Sequence, residues 1–293
     1  GTTGHPKGAM INHQMQLYNA INLAAPVFVT SEAVQLVVLP LFHTGGMNCY
    51  ANPVLHSGGE IILIKEFEPG LALSIIGNPD YGVTHFFAVP APYQFMMNHP
   101  DFDKTDLSRL KVAGIGGAPC AEAILRAWSD RGVSMTQGWG MTETSPMCVL
   151  SFPPRDAGPE EALIWQAKSG RPVAGMEVRI VDDADQPLAE DGQTIGHLQL
   201  RGPWVTAGYH LQSEGDGSLS PDGWLRTGDA GTIDTLGYVQ ITDRTKDLIK
   251  SGGEWISSVD LENDISRFPG VAEVAVIAVP DDRWEERPLA ILS

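Results

Sequence analysis

The chain has 293 residues, of which 43% are hydrophobic and 19% charged, and its formal net charge is −17 at pH 7. This length and composition are typical of a globular protein with about two domains. The negative charge argues against nucleic acid and against an anionic membrane surface as partners, because both attract basic protein faces.

Cysteine usage and hydropathy predict the cellular environment. Cys49, Cys120 and Cys148 are odd in number and widely spaced, so they predict neither a disulfide framework nor a C-x-x-C metal pair. The apolar runs are shorter than the ~20 residues that span a bilayer, and no signal peptide is evident at the start of the chain. We therefore expect a cytoplasmic protein without a transmembrane segment.

The first two thirds of the chain alternate strand-like and helix-like segments. Buried strands are predicted in the continuous apolar runs VQLVVLPLF, EIILI, VTHFFAVP and LKVAGIGG. Helical spacing occurs at residues 67–78 and 120–131, the second ending at Gly132. This alternation predicts an α/β architecture with a largely parallel sheet.

The pattern changes further along the chain. Residues 151–168 are interpreted as a loop. From about Gly170, the short alternating runs MEVRIVDD, GHLQLRG and GYVQITD predict a small β-barrel or sandwich. After Asp243, VDLENDISRF predicts a helix and VAEVAVIAV a strand, and a further apolar run begins at PLAILS.

The chain opens with GTTGHPKG, in which glycines, threonines and a lysine come together. Glycines let successive backbone N–H groups converge on an anion, while hydroxyls and a lysine add donors and charge. Pro6 and Gly8 do not match the Walker A pattern. On its own the octapeptide fits a phosphate-binding loop or a plain turn with an exposed lysine.

Three later segments favour the phosphate interpretation. QGWGMTETSP places the Thr142 hydroxyl beside the Glu143 carboxylate, which suits a phosphate and Mg²⁺. GWLRTGDAG offers Asp229 as an acceptor for ribose hydroxyls. DRTKDLIKSGGEW adds three basic side chains. Each could be a solvated turn, but the set in this order indicates nucleotide chemistry.

This motif set resembles the adenylate-forming superfamily, which includes acyl-CoA synthetases, luciferases and the adenylation domains of peptide synthetases. GTTGHPKG is similar to its phosphate loop, GWGMTE to its Y/W-G-x-T-E motif, WLRTGD to its aspartate motif, and DRTKDLIKSGGEWIS to its hinge. IKSGGEWISSVDLEN looks most like medium- and long-chain fatty acyl-CoA synthetases.

The resemblance implies a domain organisation. Residues 1–242 would be the C-terminal part of a large AMP-binding domain, with an α/β part (1–169) and a β-rich subdomain (170–242). Residues 243–246 would form the hinge, and residues 247–293 the beginning of a small α+β C-terminal domain. The chain is thus interpreted as an interior piece of a longer enzyme, without the N-terminal part and the adenylation lysine, and we expect it to be weak or inactive by itself.

The resemblance also implies residue roles. The residues expected to bind nucleotide are Thr2, Thr3, Gly4 and Lys7 at the β- and γ-phosphates, Gly116, Gly117, Ala118 and Pro119 at adenine, Trp139 beside the nucleotide or the acyl tunnel, and Asp229 with Arg244 at ribose. Thr142 would contact the α-phosphate and Glu143 would bind Mg²⁺. The GGAP segment would also serve as a tight turn between a strand and a helix.

Two further positions complete the expected site. Lys246 falls at the hinge, while Lys250, with Gly252 and Gly253, would shape the face that forms the thioester. His43, in PLFHTGGM, is either a structural histidine or a residue that positions the acyl carboxylate. Cys49 and Met47 are expected in the pocket wall or the core.

The function that the resemblance implies is ATP-dependent ligation of a carboxylic acid, most consistent with a fatty acid, to CoA through an acyl-adenylate. The alternatives left open are an aromatic or other carboxylate, loading of a carrier protein, and a non-catalytic nucleotide-binding remnant. The expected ligands are the acid, ATP, Mg²⁺ and CoA, and a homodimer is left open.

Overall fold

A seven-stranded sheet forms the centre of the first of two units in a computed structural model, which describes residues 7–211, 217–252, 254–271 and 273–293. The first unit comprises residues 1–177 and 202–216, and the second comprises residues 178–201 and 217–293. The domain boundaries expected from the sequence stay a prediction. In the described ranges, no helix combines the length and apolar character needed to cross a membrane.

The strands of the first unit are β1 (Gly8–Ala9), β2 (Val34–Val37), β3 (Glu60–Leu63), β4 (His85–Ala88), β5 (Val112–Gly116), β6 (Met135–Gly140), β7 (Met147–Leu150), β8 (Arg171–Pro172) and β11 (Tyr209–His210). The large sheet has the order β3-β2-β4-β5-β6-β7-β8. Strands β3 to β6 are parallel, whereas β7 pairs antiparallel with both of its neighbours. Strands β1 and β11 form a separate antiparallel pair.

The helices of this unit are α1 (His13–Ala24), α2 (Thr44–Asn48), α3 (Ala51–His56), α4 (Pro69–Gly77), α5 (Pro90–Met97), α6 (Glu122–Asp130) and α7 (Pro159–Ala167). Local chemistry sets their ends. The Glu68 carboxylate accepts the Gly70 and Leu71 N–H groups at the start of α4, and these bonds lower the pKa of Glu68. The chain after α6 turns at Gly132, whose φ is +77°.

The interpretation of residues 151–168 as a loop is wrong over its second half, which forms α7. Pro159 occupies the first turn, where its missing N–H costs nothing. Glu160 and Glu161 follow in that turn, where negative charge favours the helix dipole. These signals lie in a stretch rich in glycine and proline, which favoured the loop interpretation.

The core of the first unit is formed by the large sheet and its helices, and it contains a chain of four aromatic rings. Tyr93 contacts Phe86 and Trp128 at ring-centroid distances of 5.2 and 5.0 Å, and Trp128 contacts Phe102 at 5.0 Å, all edge to face. All four side chains are buried. Such pairs add about 0.5–1.5 kcal/mol each beyond the burial of their area.

The second unit contains two four-stranded sheets. Its strands are β9 (Glu177–Val181), β10 (Gly196–Arg201), β12 (Leu225–Ile233), β13 (Val239–Arg244), β14 (Ile249–Ser251), β15 (Glu254–Ile256), β16 (Val274–Asp281) and β17 (Glu285–Leu292), and its helix is α8 (Ser258–Ser266). The sheet orders are β13-β12-β10-β9 and β15-β14-β17-β16. The fold class expected from the sequence is therefore confirmed: an α/β part with helices flanking its main sheet, then a β-rich part and a small α+β part.

Asp243 connects the two halves of the second unit. Its Oδ2 accepts hydrogen bonds from the Ser258 N–H at 3.0 Å and the Ser258 hydroxyl at 2.7 Å. Its Oδ1 accepts the Arg244 N–H at 2.7 Å. Ser258 is the first residue of α8, so its N–H has no partner within the helix, and the buried Asp243 carboxylate supplies that partner. The carboxylate thereby joins α8 to the end of β13.

A turn between β6 and β7 requires a glycine. A Cβ on Gly140 would lie 1.7 Å from the Pro146 carbonyl oxygen, which accepts the Met141 N–H at 2.9 Å. Backbone atoms cannot move away from such a contact without breaking the strand pairing. Gly140 thus allows the chain to reverse directly after β6.

Replacing Gly140 with alanine should destabilise the protein by at least about 2 kcal/mol, because the added methyl group overpacks the turn. Urea unfolding measures this loss. The matched control is Gly158→Ala, since a Cβ at Gly158 meets no atom within 4 Å. Equal stability of the Gly140 and Gly158 variants would show that the turn relaxes freely.

His85 is a buried titratable group at the start of β4. Its Nε2 donates to the Val27 carbonyl oxygen at 2.9 Å, and its Nδ1 lies 2.7 Å from the Thr84 hydroxyl. Burial lowers the pKa of His85, and the nearby Lys111 charge lowers it further, although the bond to Val27 opposes the shift. The folded protein therefore favours the neutral imidazole.

The folded-state pKa of His85 lies below its unfolded value of about 6.5. The contribution of this group to the free energy of unfolding should therefore be full above pH 6.5 and should fall as the pH decreases below it. This group contributes at most about 1.4 kcal/mol per pH unit. Urea unfolding at pH 7.5 and 5.5 measures the slope. His85→Gln should flatten it, whereas His56→Gln, at an exposed position, should not; an unchanged slope in the His85 variant would contradict the assignment.

Candidate active site

The carboxyl ends of the parallel strands lie at one edge of the sheet, and three predicted segments follow them. His43 lies beyond β2, GGAP continues from β5, and Trp139 belongs to the end of β6. Side chains and backbone groups beyond the carboxyl ends of such strands are the usual ligand contacts in α/β sheets. The fold therefore brings these predicted residues to a common edge.

The GGAP segment presents backbone groups at this edge. A Cβ on Gly116 would lie 2.8 Å from the Gly138 carbonyl oxygen, so the close approach of β5 and β6 requires glycine. Gly117 has a φ of +81°, and it is exposed together with Ala118 and Pro119. The segment is thus an exposed tight turn between β5 and α6, and its contact with adenine stays a prediction.

Thr142 and Glu143 lie in a 3-10 turn, Thr142–Thr144, that follows β6. Thr144 is buried. Its hydroxyl accepts the Met141 N–H and lies within hydrogen-bond distance of the Met141 carbonyl oxygen, and these contacts stabilise the turn. Thr142 is exposed and Glu143 half-buried. The hydroxyl and the carboxylate therefore remain accessible on a turn whose next residue is anchored in the protein.

Tyr209 contacts Glu143 and was not predicted from the sequence. The Tyr209 hydroxyl donates to Glu143 Oε1 at 2.6 Å. Lys7 Nζ lies 5.0 Å from the centroid of the Tyr209 ring, within the range of a cation–π interaction. The predicted loop residues Thr2, Thr3 and Gly4 lie outside the described residues, so Lys7 is the one predicted phosphate-binding residue of this loop that the structure describes.

His43 begins helix α2. Its Nδ1 accepts the Gly45 N–H at 2.9 Å, so the neutral ring carries its proton on Nε2. The side chain is exposed, and in this tautomer its Nε2–H is a hydrogen-bond donor. Cys49 is buried in the core, where burial raises its pKa, while Met47 is exposed.

Asp229 and Arg244 form an ion pair in the second unit. They are register partners in β12 and β13, and Arg244 Nη1 lies 2.9 Å from Asp229 Oδ1. Asp229 is nearly buried, and the Arg244 side chain is 51% exposed. The sequence suggested a turn around Asp229, but this residue lies within a nine-residue strand.

Lys250 belongs to a charged cluster with Asp183 and His197. Lys250 Nζ and His197 Nε2 lie 2.9 and 2.7 Å from the two oxygens of Asp183. The hydrogen bonds from His197 and Lys250 lower the pKa of Asp183. Lys246 pairs with Asp247 at 2.8 Å. Asp183 and His197 were not predicted because each lies far from Lys250 in sequence, and Gly253 lies outside the described residues.

Known proteins place the chain in a family. The family model described as AMP-binding enzyme matches residues 1–210. A long-chain-fatty-acid–CoA ligase from Thermus thermophilus is 36% identical over 298 residues, covering 100% of this chain and 55% of that protein. A feruloyl-CoA synthase from an Amycolatopsis species is 36% identical over 292 residues, covering 100% and 57%.

A solved structure agrees with these relatives. ATP-bound MatB from Rhodopseudomonas palustris has a TM-score of 0.85 and 30% identity, covering 100% of this chain and 56% of that chain. The chain thus spans about half the length of the relatives it matches. The family model covers more than half of the chain, including the whole GGAP and GWGMTE edge of the sheet, and the chain therefore belongs to the AMP-binding enzyme family.

Proposed function

We propose that the protein containing this chain is an ATP-dependent acid–CoA ligase. The observation that carries the proposal is the sheet edge, where an accessible backbone segment, a hydroxyl and a carboxylate follow adjacent strands in a chain of the AMP-binding family. Two relatives are named for different acids, a long-chain fatty acid and ferulic acid, but both are named as enzymes that form CoA thioesters, which supports this reaction class.

The proposed reaction has two steps. The acid carboxylate attacks the α-phosphorus of ATP and pyrophosphate leaves, which forms an acyl-adenylate. The CoA thiol then attacks the activated carbonyl, its proton is released, and AMP leaves with the pair of electrons from the broken C–O bond. The first step brings two anions together, so donors and positive charge must be placed before the reaction.

The residues of the first unit have distinct proposed roles. Lys7, with Thr2, Thr3 and Gly4, binds the β- and γ-phosphates, and Thr142 donates to the α-phosphate. Adenine is contacted by the GGAP segment, which consists of Gly116, Gly117, Ala118 and Pro119, while Trp139 flanks the nucleotide or the acyl tunnel. His43 donates from Nε2 to the acid carboxylate. His43 therefore positions the substrate and does not transfer a proton.

The residues of the second unit have separate proposed roles. Asp229 accepts from the ribose hydroxyls and Arg244 holds its carboxylate. Lys246 lies at the hinge and Lys250 shapes the thioester-forming face. These roles follow the family motifs, and the ion pair between Asp229 and Arg244 supports the first of them.

Glu143 is the proposed Mg²⁺ ligand. The described residues contain no cluster of three or more His, Cys, Asp or Glu side chains suited to a metal. Mg²⁺ that binds with nucleotide commonly uses one or two carboxylates and takes its other ligands from phosphates and water, so a single accessible carboxylate fits this ion. Bound Mg²⁺ would offset the negative charge of the phosphates.

The preferred acid is proposed to be a fatty acid. The run IKSGGEWISSVDLEN and the fatty-acid-ligating relative support this choice. An aromatic acid is the second candidate, because the feruloyl-CoA synthase has the same 36% identity. A cytoplasmic location remains part of the proposal.

Acid-dependent exchange of pyrophosphate into ATP by the full-length protein tests the proposal. Short, medium, long and aromatic acids are compared, and CoA is then added to detect thioester. Fatty acids should stimulate exchange and then consume CoA. Exchange with aromatic acids only would overturn the fatty acid assignment. Acyl transfer to a carrier protein but not to CoA would show that the acceptor is a carrier protein. ATP binding without exchange would contradict the proposed ligase activity.

The Asp229→Asn variant should weaken ATP binding about tenfold or more, because a hydrogen bond to a charged group contributes about 1.5–3 kcal/mol. Binding is measured by calorimetry with ATP and with 2′,3′-dideoxy-ATP. The wild-type protein should prefer ATP, and the variant should bind both equally. Asp264→Asn, at an exposed position, is the control. A preference for ATP that survives in Asp229→Asn would contradict the ribose role.

A further inference from the structure

We propose that Tyr209 is a positioning residue that holds the Glu143 carboxylate for binding of the magnesium–nucleotide complex. The inference rests on the proposed function, since it assigns Glu143 to that complex. It adds a residue outside every motif that the sequence indicated, on a strand that begins 37 residues after Pro172, the end of the last strand of the large sheet.

The first observation is the hydrogen bond itself. The Tyr209 hydroxyl donates to Glu143 Oε1 over 2.6 Å, a distance typical of an O–H group bound to a charged carboxylate. Both side chains are half-buried, so water competes less for this bond than at a fully exposed surface. The bond restricts the rotation of the carboxylate and occupies one of its oxygens.

The second observation is how the backbone fixes the tyrosine. The Thr206 N–H donates to the Glu143 carbonyl oxygen at 2.7 Å, and the Thr206 hydroxyl donates to the Met10 carbonyl oxygen at 2.8 Å. Tyr209 itself is the register partner of Ala9 in the β1–β11 pair. The segment from Thr206 to Tyr209 is thereby joined to the turn that carries Glu143 and to the chain after the glycine loop.

The third observation is the lysine that lies over the ring of Tyr209. Lys7 Nζ lies 5.0 Å from the ring centroid of Tyr209, while the hydroxyl of that ring binds Glu143. A single rigid side chain therefore contacts the cation expected at the phosphates and the carboxylate expected at the metal. Its position sets both charges relative to each other before nucleotide binds, which lowers the ordering cost of binding.

The hydroxyl and the ring can be separated by substitution. Phenylalanine keeps the ring, its contact with Lys7 and the β1–β11 pairing, and removes the hydroxyl that binds Glu143. A residue that orients a metal-binding carboxylate typically changes metal affinity 10- to 100-fold when it is replaced. A residue that only supports the fold changes the melting temperature and leaves the metal dependence unaltered.

The experiment compares the full-length protein with its Tyr209→Phe variant by calorimetric titration of ATP, once with Mg²⁺ and once with EDTA. We expect the Mg²⁺ concentration for half-maximal stimulation of ATP binding to rise about tenfold in the variant. ATP affinity in EDTA should change less than twofold. Tyr18→Phe makes the same chemical change on helix α1 and should behave as the wild type.

Glu143→Gln tests whether the tyrosine acts through the carboxylate. Adding Tyr209→Phe to Glu143→Gln should produce no further loss of Mg²⁺ dependence, since the two changes remove one interaction. An unchanged Mg²⁺ dependence in Tyr209→Phe, or an equal loss of ATP affinity with and without Mg²⁺, would overturn the positioning role alone. A wild-type protein that binds no ATP in either condition would overturn the proposed function and this inference with it.

Discussion

The close approach of adjacent strands without side chains between them is the constraint on which the candidate site depends. A Cβ on Gly138 would lie 2.9 Å from Met147 Sδ, and one on Gly116 would lie 2.8 Å from the Gly138 oxygen. Gly140 leaves still less space. Gly116 and Gly140 are thus required by the backbone packing of β5, β6 and β7, and Gly138 lies in the same close approach. Their exposed neighbours are presented at the sheet edge as a consequence of that packing.

Much of the fold could be predicted because buried parallel strands are continuous apolar runs. The predicted helices near α4 and α6 were confirmed within a few residues, since their apolar spacing and terminal signals agree. Strand β12 was not predicted, because Gly228 and Gly231 around Asp229 favour a turn by local propensity. Pairing with β10 and β13 outweighs that propensity, and a bulge next to Gly231 absorbs the irregularity.

The candidate site was predictable where chemistry and spacing lie within one segment. Thr142 and Glu143 are neighbours, and Asp229 stands alone among glycines, so each could be selected by residue type. Tyr209 could not, because its partner is 66 residues away and one tyrosine before a histidine carries no local pattern. The same reason applies to the acidic partner of Lys250. The roles of the predicted site residues stay predictions that the binding and exchange measurements test.

The hydrogen bond from Thr206 to Met10 joins residues that are 196 positions apart. Closing a loop of that size costs about 5 kcal/mol of chain entropy, more than a two-residue strand can recover. Strand β1 therefore forms only after the intervening sheet has assembled and has brought its partner close. At a synthesis rate of about 5–20 residues per second, that partner leaves the ribosome about 10–40 s after β1. Order at the residues that follow the glycine loop is consequently a late event in folding.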